Sequence, residues 1–203
     1  MFVAKILGIC GSPRKSATYK SLEIAVEAAL QTEGIEAEIV ALKGKTIKPC
    51  NHCDYCKKEK VLCPIKDSME ELYPKILQAD AFIFASPVYC MNITPQMHAF
   101  FTRWRPLHHV MSGAVKNKLA AAIAVGGTRN GGQEMTINSI IHVAMTRGLI
   151  FIGNEIGNYS GAMIWSKDQG SDGVEADLVG VESLNKLGNR VAEIALILEK
   201  GKR

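Results

Sequence analysis

Three short apolar runs, each closing in a loop of unusual composition, constrain this chain more than any other feature. Residues 4–9 are apolar and end in Cys10-Gly11-Ser12-Pro13; residues 81–85 end in Ser86-Pro87; residues 118–125 end in Gly126-Gly127. Between such runs the apolar residues change period. Leu22, Ala25, Val26, Ala29 and Leu30 recur at helical spacing, as do Met97, Phe100, Phe101 and Trp104 within 96–105, and Ile137, Ile140, Ile141, Ala144 and Met145. A further helix fits residues 68–78, and Leu184, Leu187, Val191, Ile194, Ala195 and Leu198 make a closing one. Residues 37–42 and 149–152 read as two more strands. Alternation of strand and helix argues for a parallel sheet covered on both faces. The 203 residues suffice for one α/β domain with a sizeable core, spanning 1–203.

Five such strands suit a doubly wound, flavodoxin-like parallel sheet of order 2-1-3-4-5. Two stretches lack a clear period: 43–66, read as an inserted cysteine-bearing loop, and 154–173, read as a surface loop containing Gly and Ser. In open sheets of this kind ligands bind beyond the carboxyl ends of the strands, at the topological switch point. That rule brings the loops after strands one, three and four together.

Each loop has its own chemistry. In the first, Gly11-Ser12-Pro13-Arg14-Lys15-Ser16-Ala17-Thr18-Tyr19 leaves a strand and enters a helix. A helix N-terminus offers free N–H groups and the positive end of the dipole. Ser12, Ser16 and Thr18 add hydroxyls, and Arg14 can fork onto phosphate oxygens. The combination suits a terminal monophosphate; the Gly-x-Gly-x-x-Gly and Gly-Lys-Ser/Thr patterns of dinucleotides and triphosphates are absent. The plainer reading is that Ser12 or Ser16 caps a helix. In the second, Ser86-Pro87-Val88-Tyr89-Cys90-Met91-Asn92 offers a rigid turn whose Tyr89 can pack on a planar ring or cover the core edge. Cys90 there reads as a small buried hydrophobe. In the third, Gly126-Gly127-Thr128-Arg129-Asn130-Gly131-Gly132 lets backbone approach a flat ligand closely, with N–H groups for ring carbonyls and Arg129 for negative charge. An ordinary flexible loop capping a helix is its alternative.

The cysteines are the most specific signal. Four of six fall in one stretch, where Cys50-Asn51-His52-Cys53-Asp54-Tyr55-Cys56 gives two successive Cys-x-x-Cys spacings and Cys63 follows. Three thiolates at this pitch can wrap a cubic cluster that a fourth closes, so the spacing favours a 4Fe–4S cluster. Zinc, which usually takes separated pairs or Cys/His sets, is the lesser alternative, with His52 an uncommitted loop histidine. The chain starts directly in a strand, with no basic leader, and has no apolar run fit to span a bilayer, which predicts a cytoplasmic protein without membrane contact. A reducing compartment also favours a metal or cluster over disulfides.

Charge is uneven. The whole chain is +4, yet residues 43–66 alone hold seven lysines against Asp54 and Glu59. Nucleic-acid binding would show Arg and aromatic residues interleaved over a wider face, so no nucleic-acid partner is expected.

Taken together, the phosphate loop Gly11-Ser12-Pro13-Arg14-Lys15, the Ser86-Pro87-Val88-Tyr89 loop, the glycine loop running on to Gln133-Glu134 and the four-cysteine motif resemble the iron–sulfur flavoproteins, within the wider NADPH-dependent FMN reductase group. The resemblance covers essentially the whole chain. It implies FMN and not FAD, with phosphate at Ser12, Arg14, Ser16 and Thr18, and the ring between Pro87, Val88, Tyr89, Asn92 and the loop carrying Gly127, Thr128, Arg129 and Gly132. It implies a 4Fe–4S cluster on Cys50, Cys53, Cys56 and Cys63, and a homo-oligomer, dimer or tetramer. Two positions depart from the family pattern: Thr18-Tyr19 stands where Asn-Thr is common, and Met91 where a Gly is common.

Electron transfer is the function these features imply, from a low-potential donor such as ferredoxin to an acceptor that the sequence leaves open, oxygen species or quinones among the choices. No protein nucleophile or acid–base pair is required, and no residue is assigned as catalytic. The alternative is an NAD(P)H-dependent FMN or quinone reductase with a structural cysteine-metal loop. The apolar stripe of residues 96–105 is expected at the oligomer interface, and a ferredoxin-like acidic carrier at the lysine-rich cysteine segment.

Overall fold

A computed structural model describes residues 2–111 and 113–201; Met1, Ser112 and the tail residues Lys202 and Arg203 lie outside the described residues. The elements in chain order are β1 (Ala4–Cys10), α1 (Ala17–Leu30), β2 (Ile35–Ala41), α2 (Tyr55–Glu59), α3 (Met69–Gln78), β3 (Ala81–Pro87), α4 (Pro95–Thr102), α5 (Arg105–His109), β4 (Leu119–Gly126), α6 (Gln133–Thr146), β5 (Ile150–Phe151), β6 (Ala162–Trp165), α7 (Gly170–Glu175) and α8 (Leu178–Gly201). The sheet is parallel, in the order β2-β1-β3-β4-β5, with β6 also paired to β4.

The period-2 alternation of the central strands divides the core in two. Leu7, Ile9, Phe82, Phe84, Ala120, Ala122 and Ala124 face one side, where α3, α4 and α6 cover them. Ile6, Cys10, Ile83, Ala85, Ala121, Ile123 and Val125 face the other, against α1 and α8. Burial on both faces explains why β3 and β4 read as unbroken apolar runs. At Gly8 the absent side chain leaves room for Leu22: a Cβ there would meet its side chain at 3.2 Å, so α1 sits close on the sheet.

Three sequence expectations are corrected. The stretch 154–173 is not loop throughout, because β6 pairs Ala162–Trp165 with Ile123–Gly126 and α7 begins at Gly170. The fifth edge position is thus two short strands, β5 on the lower half of β4 and β6 on its upper half. Within 43–66 the short helix α2 interrupts the loop.

The third correction concerns the aromatic stripe. Met97, Phe100, Phe101 and Trp104 are buried within their own chain, none more than 2 % exposed. Trp104 meets Phe82 at 5.4 Å and Phe100 at 5.6 Å between ring centroids, and Phe101 meets Phe84 at 4.9 Å, tilted or edge-on as aromatic quadrupoles prefer. The stripe packs on its own sheet and is not available to a neighbour.

Candidate functional site

The carboxyl ends of β1, β3, β4 and β6 surround an open cavity of about 390 Å³, lined among others by Ser12, Arg14, Ser16, Thr18, Pro87, Val88, Tyr89 and Gly127. Eight of the residues singled out from sequence therefore share one wall. The first loop is shaped by Ser12, whose Oγ accepts the Arg14 N–H at 3.1 Å and turns the chain into α1. Neither Ser16 nor another side chain caps the α1 N-terminus, so its first N–H groups are left for a ligand.

Three cavity residues went unread in the sequence: Ser166, Asp168 and Gly170, from the loop after β6. Ser166 Oγ donates to the Gly126 carbonyl at 3.2 Å. The Asp168 carboxylate lies so near Gly127 that a Cβ there would sit 2.3 Å from its oxygen. A side chain at Gly127 would push the exposed Asp168 carboxylate out of this position.

Asn92, Thr128, Arg129 and Gly132 flank this cavity and do not line it. Tyr89 and Asn92 exchange backbone hydrogen bonds of 2.8 and 2.9 Å across a tight turn, with Cys90 and Met91 at its tip in left-handed backbone. Cys90 is exposed there, contrary to the buried role expected of it. Arg129 stacks on Trp165, 4.4 Å from the ring centroid, and Lys167 lies 4.7 Å from the same ring. Gln133 holds the glycine loop: its side chain accepts the Gly131 N–H at 2.8 Å and donates to the Thr128 carbonyl at 2.7 Å.

The second site lies beyond the other end of α4. Cys50, Cys53, Cys56 and Cys63 line one concavity with Thr102, Arg103 and Arg105. The segment reaches this shape through left-handed backbone at His52, Asp54 and Lys60, conformations uncommon outside glycine. The His52 N–H donates to Cys50 Sγ at 3.4 Å, and the Cys50 N–H to Thr102 Oγ1 at 3.1 Å. Burial raises the Cys56 thiol pKa, Arg105 opposes that, and the neighbouring Cys63 and Cys50 raise it further. Among the described residues no three His, Cys, Asp or Glu side chains converge as tightly as a single metal ion requires.

Positive charge surrounds the thiols. Arg105 is bonded to Asp54, and Arg103 to Asp67. Burial and then Arg105 lower the Arg147 pKa, while the Cys50 sulfur favours its charged form. Arg103, Arg105 and Arg147 each keep a buried Nε–H without a hydrogen-bond partner among the described residues. Orphaned buried donors of this sort call for an acceptor.

Helix α4 ties the two sites into one frame. At its start, Thr94 Oγ1 donates to the Gly11 carbonyl at 2.6 Å, beside the phosphate-type loop, and accepts the Met97 N–H at 3.2 Å as an N-cap. At its end, Thr102 and Arg103 hold the cysteine segment.

The family model for NADPH-dependent FMN reductases matches residues 4–162. An iron–sulfur flavoprotein of Archaeoglobus fulgidus is 40 % identical over 93 % of this chain and 96 % of its own. One of Methanocaldococcus jannaschii is 38 % identical over 94 % and 96 %, and one of Methanosarcina thermophila 33 % identical over 98 % of both chains. Among solved structures, RosB with a bound 8-demethyl-8-formylriboflavin-5'-phosphate intermediate superposes with a TM-score of 0.80 at 18 % identity, covering 99 % of this chain and 82 % of RosB. A WrbA-like flavodoxin of Agrobacterium tumefaciens gives 0.67 at 19 % identity, covering 95 % and 97 %. These two likenesses bear on the fold, which is flavodoxin-like. The sequence matches carry the assignment: the chain belongs to the iron–sulfur flavoproteins within the NADPH-dependent FMN reductase family and is an FMN-dependent oxidoreductase.

Proposed function

We propose that this protein transfers electrons between a low-potential carrier such as ferredoxin, a 4Fe–4S cluster held by Cys50, Cys53, Cys56 and Cys63, and FMN seated in the cavity above β1, β3 and β4. The observation that carries the reading is the cysteine concavity: four thiols on one wall with Arg103 and Arg105, whose Nε–H groups lack partners among the described residues. A cluster on four thiolates is net negative, so it fits a shell with positive charge and hydrogen-bond donors to spare.

The FMN residues fit on similar grounds. Arg14 and the uncapped α1 N-terminus present charge and N–H groups to a phosphate, and Ser12, Ser16 and Thr18 stand around it. Asp168 lines the same cavity; its carboxylate would repel a phosphate and could accept hydrogen bonds from ligand hydroxyls. Pro87, Val88 and Tyr89 offer the ring a wall. The two cofactors supply the one- and two-electron chemistry; the chain binds, orients and shields them.

In this reading the protein works in the cytoplasm. No helix among the described residues is long and apolar enough to cross a membrane. The homo-oligomer that the resemblance implies must assemble through a surface other than the buried stripe of α4.

The test is an anaerobic preparation assayed on one sample for iron, acid-labile sulfide and flavin, with an electron paramagnetic resonance spectrum after reduction. About four irons and four sulfides per FMN support the reading. Zinc without sulfide, or rapid bleaching of the flavin by NADPH alone, would move it to a hydride-accepting FMN reductase with a structural metal loop.

A further inference from the structure

We propose that Arg103 is a positioning residue for the cysteine loop, joining the chain on either side of the four cysteines so that their thiols face one concavity. The inference rests on reading those cysteines as ligands.

Arg103 ends α4 and its side chain is wholly buried, as is that of Asp67 to within 1 %. Its Nη1 donates to the Lys48 carbonyl at 2.9 Å and to Asp67 Oδ2 at 2.5 Å; its Nη2 donates to the Ile65 carbonyl at 3.2 Å. Lys48 stands two residues before Cys50, and Ile65 two residues after Cys63. One planar guanidinium thus grips both ends of the ligand-bearing segment. Asp67 grips it again, accepting the N–H groups of Lys48 and Met69 at 3.0 Å each. Tyr73 completes the knot by donating its hydroxyl to the Arg103 carbonyl at 2.8 Å.

Such an arrangement is poorly explained as stability alone. A buried ion pair recovers little over apolar residues of the same volume, because desolvation offsets the attraction. What it adds is direction: two carbonyls and a carboxylate are held at fixed angles by one rigid fork, which a lysine cannot imitate. Removing the fork leaves the partly buried Lys48 and Ile65 carbonyls without this donor, so the segment should loosen where it meets the core. Arg103 does not line the cavity proposed for FMN, so the two sites can be read separately.

The experiment uses the full-length protein purified anaerobically, as wild type, Arg103→Lys and the double replacement Arg103→Met with Asp67→Leu. Flavin content and melting midpoint report on the fold. Iron release to a chelator and the electron paramagnetic resonance line shape report on the cluster. In iron-free protein, maleimide labelling followed by mass spectrometry reports on each thiol. Arg103→Lys is expected to retain FMN, to release iron roughly 10–100-fold faster, as loss of a supporting partner around a metal site commonly does, and to label faster at the otherwise buried Cys56. Iron release and labelling at wild-type rates in a folded Arg103→Lys would overturn the proposal, as would FMN and iron lost in parallel. Should Arg103→Lys fail to fold, the double replacement decides: fast iron release with intact FMN supports the proposal, wild-type retention overturns it. If wild-type protein takes up no iron, the cluster reading fails, and the labelling arm alone then decides the role of Arg103.

Discussion

Met91 rests on Gly132: a Cβ added to Gly132 would lie 2.9 Å from Met91 Cγ and 3.0 Å from its Cα. Both residues are in left-handed backbone, at φ +61° and φ +98°. The turn after β3 and the glycine loop before α6 therefore pack as one unit beside the proposed flavin cavity.

Gly132→Ala should break this contact. Its backbone would be strained by the added Cβ, at a cost of about 1–3 kcal/mol, and Met91 would have to shift. The expected outcome is a lower denaturation midpoint together with weaker FMN retention, since Tyr89 closes the same turn as Met91. Unchanged values in both measurements would show that the loop and turn adapt freely.

Arg14→Ala should weaken FMN retention without unfolding the chain. Arg14 lines the cavity, and its side chain makes no ion pair or hydrogen bond among the described residues. Losing one hydrogen bond to a charged phosphate costs about 1.5–3 kcal/mol, or roughly 10–100-fold in affinity. Titration of flavin-free protein with FMN and with riboflavin checks this: the loss should be confined to FMN, because riboflavin has no phosphate to lose.

Cys10 gives a pH prediction. Burial pushes its thiol up to about 11, with a smaller push from Glu23, while the hydrogen bond at Ser12 works against them. The folded chain therefore holds this proton more tightly than the unfolded one. Its contribution is fully present below the unfolded value near 9.0 and is lost as pH rises toward about 11. The stability gap between wild type and Cys10→Ala should shrink across that window by about 2–3 kcal/mol. Urea denaturation at a series of pH values measures it. Iodoacetamide at pH 8 should leave Cys10 unlabelled.

Much of this molecule is legible in its sequence, and the exceptions have physical causes. The five-strand order follows from apolar runs buried on both faces; that α1 starts without a side-chain cap is seen only in the structure, since Ser12 and Ser16 both stood as candidates for it. The strand β6 was hidden because only Ala162, Met163, Ile164 and Trp165 are apolar within a polar, glycine-bearing stretch. With it went Ser166, Asp168 and Gly170, which reach the cavity only because β6 pairs with β4. The one signal was a four-residue apolar run between Gly161 and Ser166. The contact of Arg129 with Trp165 was likewise hidden, because periodicity does not reveal which ring a loop arginine will lie over. Arg103 had a signal: a charge set between Phe101 and Trp104 on an apolar stripe has to be paired to be buried.

The donor is open to a direct test. Lys57, Lys58 and Lys60 are exposed, and none of their side chains forms an ion pair or hydrogen bond among the described residues, whereas Lys45 and Lys66 are paired with Glu71 and Glu70. Three free cations on and just after α2, next to Cys56, suit the encounter with an acidic electron carrier. Complementary charge raises the encounter rate and is weakened by salt. The competing account is that these lysines only offset the negative charge of the cluster and so raise its potential. Changing all three to Gln separates the two. If the carrier docks here, reduction by ferredoxin should slow several-fold and its salt dependence should flatten, with the cluster potential little moved. If the lysines only tune the cluster, the potential should shift while the salt dependence stays as in wild type. Stopped-flow reduction across an ionic-strength series measures the first effect and a redox titration the second. A reduction rate indifferent to both salt and substitution would end the docking hypothesis.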